Sequence, residues 1–76
     1  MDNTILCYIN MFSLNQQIVI DGETRFIPLD DIVKALPALC YEFNLNKIHL
    51  FGLEEFVLQL ATELSLEHSQ LEIEVN

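Results

Sequence analysis

Tryptophan is absent, glycine, proline and cysteine occur twice each, and only three side chains carry a fixed positive charge. Two isolated glycines cannot build a glycine-rich phosphate loop, and no lysine stands at P-loop spacing. Arg25, Lys34 and Lys47 are too few to displace counterions from a phosphate backbone, so direct DNA or RNA binding is not expected. Cys7 and Cys40 each sit inside an apolar run and read as buried thiols in a reducing compartment. Together with His49 and His68 they show no zinc-like spacing, and neither a metal nor any other cofactor is expected. No apolar run approaches the ~20 residues that span a bilayer. The start, MDNTILCYINMF, has no basic region and no cleavage site, so the expected location is cytoplasmic, without membrane attachment.

What is present is apolar and acidic. Hydrophobic residues make up 51% of the 76, enough for one packed core and against disorder. One domain, residues 1–76, is expected. Twelve Asp and Glu against three Lys and Arg give a formal net charge of -9. Such a charge keeps a small apolar domain in solution, and it also speeds encounter with a basic partner surface.

Periodicity supplies the elements. Thr4–Phe12 is almost continuously apolar and reads as a strand covered on both faces. SLNQ breaks it, and QIVI up to Ile20 is a second strand. Asp21–Gly22 is a hairpin signal, because both residues tolerate positive φ, and TRFI is a third strand stopped by Pro28. Leu29, Ile32, Val33, Leu36, Leu39, Cys40 and Phe43 recur at helical spacing, with a kink or loosened turn expected at Pro37. KIHLF is a fourth strand ended by Gly52. Leu53, Phe56, Val57, Leu60, Ala61 and Leu64 mark a second helix, SLEHSQ a loop, and LEIEV an alternating last strand. The order βββαβαβ predicts a two-layer α/β sandwich with a mixed five-stranded sheet, order 3-2-1-4-5, and both helices on one face.

That order resembles a minimal ribonuclease H-like core and, equally, half of an actin-like ATPase domain. The resemblance implies carboxylates on the first strand and at the end of the fourth, converging on divalent metal. Here the first strand carries Asn10, the fourth ends in Phe51–Gly52, and Glu54 and Glu55 follow a turn later. Asp2, Asp21 and Glu23 lie near strand or chain ends, and no pair converges. Glu54 and Glu55 also open the helix after Gly52, where a phosphate would otherwise sit. Ser13, Ser65 and Ser69 lack the flanking pattern of a nucleophile. No catalytic, cofactor-binding or metal-binding residue is assigned. The segments NKIHLFG and LEIEVN resemble small uncharacterised proteins encoded by phages and prophages of Gram-positive bacteria. That resemblance implies no activity, only an accessory role of the kind played by small acidic inhibitors of host systems.

With both helices on one sheet face, the other face is left open. It should show His49 and Phe51, with either Leu6, Tyr8, Asn10 and Phe12 or Ile5, Cys7, Ile9 and Met11 from the first strand. Tyr41 falls opposite the apolar helical stripe, facing solvent beside Lys34 and Pro37. Tyr8, Phe12, His49, Phe51 and Tyr41 are thus the expected contact residues of a non-enzymatic protein-interaction module, self-associating or docking on a host protein. The competing expectation is a degenerate ribonuclease H-like or actin-like domain with enzymatic or small-ligand-binding activity.

Overall fold

The computed structural model describes residues 3–76, and Asp2 lies outside them. Strands β1 (Thr4–Tyr8), β2 (Asn15–Ile20) and β3 (Glu23–Pro28) come first. A single 3₁₀ turn (Leu29–Asp31) leads into helix α1 (Ile32–Glu42). Strand β4 (Lys47–Phe51), helix α2 (Glu54–Glu67) and strand β5 (Glu72–Val75) complete the chain. One five-stranded sheet runs β3-β2-β1-β4-β5. β1 is antiparallel to β2 and parallel to β4; β2 and β3 are antiparallel, β4 and β5 parallel. The expected two-layer α/β architecture and strand order are those observed.

Local chemistry explains the turns. Ile20 pairs with Glu23, so only Asp21 and Gly22 lie between β2 and β3, with φ of 51° and 82°. Positive φ at both central residues matches the right-handed twist of the flanking strands. α1 ends with Asn44 at φ 57°, and the Leu45 N–H donates to the Cys40 carbonyl at 2.7 Å. That left-handed residue closes the helix as glycine commonly does. Pro37 is buried inside α1, which continues past it as one helix.

The core lies between the sheet and the two helices. Ile5, Cys7, Ile18, Ile20, Ile48 and Leu50, all on one side of the pleat, pack against Ile32, Leu36 and Cys40 of α1 and Val57, Leu60 and Leu64 of α2. Fully burying each large aliphatic side chain contributes about 1.5–3 kcal/mol before chain entropy is set against it.

Several details differ from the sequence reading, among them two element ends and one side chain. β1 ends at Tyr8, because the backbone turns at Asn10–Ser13, where the Ser13 N–H donates to the Asn10 carbonyl at 3.0 Å. α2 continues through Ser65, Leu66 and Glu67, since the buried Leu64 carries the helix a further turn and its carbonyl accepts from the His68 N–H at 2.9 Å. Val75, expected inward, is exposed at the end of the edge strand.

Candidate interaction site

The uncovered sheet face is built by strand register. Tyr8 stands opposite Phe51 on β4 and opposite Gln17 on β2, and Gln17 in turn stands opposite Phe26. Leu6 pairs with Val19 on one side and His49 on the other. Alternation resolves the two sequence options: Leu6 and Tyr8 face outward, and Ile5, Cys7 and Ile9 are buried. The Tyr8 and Phe51 rings stack with centroids 4.8 Å apart, and His49 stacks on Phe51 at 4.2 Å. Phe26 is 66% exposed on edge strand β3.

One end of this face is charged. Lys47 Nζ lies 2.7 Å from Glu74 Oε1 and 3.3 Å from Glu72 Oε2. His49 Nδ1 is 3.7 Å from Glu74 Oε2, an acid neighbour that the sequence does not reveal for it. The Lys47 ammonium holds the Glu74 carboxyl below the usual carboxylate range, and the hydrogen bonds Lys47 donates to Glu74 and Glu72 raise its own pKa. The signal is present as two period-2 patterns, Lys47/His49 and Glu72/Glu74, which parallel pairing brings side by side.

The five expected contact residues do not form one surface. Tyr8, His49 and Phe51 meet on the open face. Phe12 does not join them: it lies past the end of β1 in the Asn10–Ser13 turn, 89% exposed. Tyr41 is on the helical layer, where its hydroxyl meets His68 Nδ1 at 3.3 Å and accepts from Gln70 Nε2. It fastens α1 to the loop before β5. Phe26, Leu14 and Leu53 are exposed apolar residues that the sequence reading does not single out. Periodicity puts Leu53 on the α2 stripe, but it is the extended residue preceding the helix, so its side chain leaves the buried face.

The turn after β1 is braced from below. Gln16, fully buried on the core side of β2, donates from Nε2 to the carbonyls of Asn10 (3.0 Å) and Ser13 (2.9 Å), and its Oε1 accepts from the Asn10 N–H. Asn10 Oδ1 accepts from the Phe12 N–H at 3.0 Å. Asn10 is therefore a turn residue, engaged on its own loop, rather than a stand-in for a strand carboxylate.

At the β4–α2 junction Gly52 is packed against the backbone that follows β1. The Ile9 N–H donates to the Phe51 carbonyl at 2.7 Å, and a Cβ on Gly52 would lie 2.8 Å from the Ile9 carbonyl oxygen. Gly52 thus admits the neighbouring backbone at φ 151°. Glu54 and Glu55 fill the first turn of α2. Among the described residues no three His, Cys, Asp or Glu side chains converge as a metal site would require. Burial pushes the Cys7 thiol up to about 12 and the Cys40 thiol up to about 11. Among the described residues no helix is long and apolar enough to cross a membrane. Comparison with known protein families, with curated proteins and with solved structures finds no match, so the resemblance to phage-encoded proteins rests on two short segments and gives no residue a role.

Proposed function

We propose that the protein is a non-enzymatic interaction module of the accessory or inhibitor type, acting by docking on protein through the open face of its sheet. The observation that carries this reading is the Tyr8–Phe51–His49 stack beside Leu6, Val19 and Phe26 on a face no helix covers. Among the described residues that face is also poor in charge: Lys47 against Glu72 and Glu74, with Asp21 at its edge, leaves it near -2 in a molecule of -9. Two such faces meet with little mutual repulsion, and a second copy is the occupant in isolated protein.

Magnitude sets the strength. Five short strands spaced ~4.8 Å apart make a face of about 400 Å², roughly half of the ~800 Å² each partner buries in a standard interface. Self-association is therefore weak and concentration-dependent. A larger partner that also covers the β3 edge near Phe26 would bind more tightly.

Light scattering across a concentration series tests this. Wild type is expected to shift from monomer toward dimer, and Phe51→Glu to stay monomeric with an unchanged fold, because a carboxylate would be forced into an apolar contact. A wild type that remains monomeric at millimolar concentration, with face amides insensitive to dilution, removes the self-docking reading.

A further inference from the structure

A second apolar surface lies at the end of the sheet, separate from the open face. Phe12 and Leu14 are 89% and 88% exposed, and Met11 and Leu53 are also exposed beside them. Met11 and Leu53 share a shallow cleft with Glu54, Glu55 and Phe56. Met11, Phe12 and Leu14 share another with Leu29 and Asp30. Exposed apolar side chains this concentrated mark contact surfaces.

Two features distinguish this loop from an ordinary exposed one. The first is preorganisation. The completely buried Gln16 amide makes three hydrogen bonds to the backbone of Asn10 and Ser13, which fixes the turn that presents Phe12. Anchors held in place before binding lose less entropy on docking. The second is the charge around it. Asp30, Glu54 and Glu55 flank the apolar tip, and among the described residues none of them forms an ion pair.

We infer that the Met11–Leu14 loop with Leu53 is a docking surface for a basic amphipathic protein segment, whose apolar side chains cover Phe12 and Leu14 and whose Lys or Arg side chains meet Asp30, Glu54 and Glu55. Charge chooses the occupant. A second copy would bring its own three carboxylates against these. An anionic membrane surface would be repelled by the same acids and by the net charge of -9. A cationic amphipathic segment satisfies the apolar tip and its acidic rim together.

The test is ¹⁵N-resolved titration with a synthetic Leu/Lys amphipathic helix, a Lys→Gln version, and phosphatidylcholine/phosphatidylglycerol vesicles. Shifts are expected at Met11–Leu14 and Leu53–Phe56 with the Leu/Lys peptide, and affinity should fall about tenfold or more with the Lys→Gln peptide. Phe12→Ser/Leu14→Ser should weaken binding about tenfold. Both side chains stand clear of the core, so the variant's amide spectrum should keep its dispersion. Phe51→Glu, on the open face, should bind the peptide as wild type does, which separates this surface from the sheet-face proposal. The inference is overturned by undiminished binding to the double variant, by shifts spread over the acidic surface without the loop, or by loop shifts with vesicles and none with peptide.

Discussion

At the scale of single residues, the two glycines do different work. Gly22 sits at φ 82° with nothing within 4 Å of where a Cβ would stand, whereas Gly52 combines φ 151° with the Ile9 carbonyl oxygen only 2.8 Å from that position. Gly22→Ala should cost about 1 kcal/mol from backbone strain alone. Gly52→Ala should cost about 2 kcal/mol or more, because strain and a backbone clash add. Urea unfolding of the two variants checks the order, and equal losses would show that Ile9 moves aside freely. The cysteines give a second expectation. Burial raises both thiols well above neutrality, so little thiolate forms in the folded protein. Ellman's reagent should react with Cys7 and Cys40 only as fast as the chain unfolds, and rapid native-state labelling of either would contradict their burial.

Elements are where sequence reading succeeds and where it stops. The Asp21–Gly22 hairpin, the i, i+3, i+4 stripe of α1 and the alternation of β5 are local signals, and the topology follows from them. The end of β1 is hidden because Ile9, Met11 and Phe12 continue the apolar run, while the residue that turns the chain acts at a distance. Gln16 is polar in an otherwise inward row with Ile18 and Ile20, and only the folded loop shows that its amide replaces missing backbone partners. Tyr8, His49 and Phe51 of the expected contact set are legible by period-2 alternation. Phe12 is misplaced by it, because alternation stops where a strand stops; Tyr41 is exposed beside Lys34 and Pro37 as the helical wheel indicates, although the wheel does not show that α1 meets the His68–Gln70 loop. Gln16→Ala should cost about 1–3 kcal/mol, since the backbone groups of Asn10 and Ser13 lose their partners and the space left by the buried amide is unfilled. Hydrogen exchange should then rise first at residues 10–13. Uniform exchange across the sheet instead would mean that Gln16 supports the core rather than the loop.

For the whole molecule, charge opposes compaction. Nine net negative charges share a domain whose Cα radius of gyration is 11.1 Å. Acidification acts in two senses. The depressed Glu74 contributes stability above its unfolded-state value, and that contribution is lost as pH falls through its lower folded-state value. Loss of negative charge on acidification also relieves repulsion. Salt separates the two effects, because screening relieves the repulsion while leaving every carboxylate ionised. Raising NaCl from about 20 to about 300 mM should therefore raise Tm by a few degrees. A fall would show that the Lys47 cluster outweighs the general repulsion.

β1 lies at the centre of the sheet, between β2, which follows it closely, and β4, to which Thr4–Lys47 pairing joins it. A chain growing from its N-terminus makes the three-stranded meander early, but that meander keeps one bare edge until β4 emerges. Loop-closure entropy is met late, and the contacts that repay it arrive together. Synthesis interrupted after Phe43 would yield an unpaired β1 edge open to any extended strand nearby.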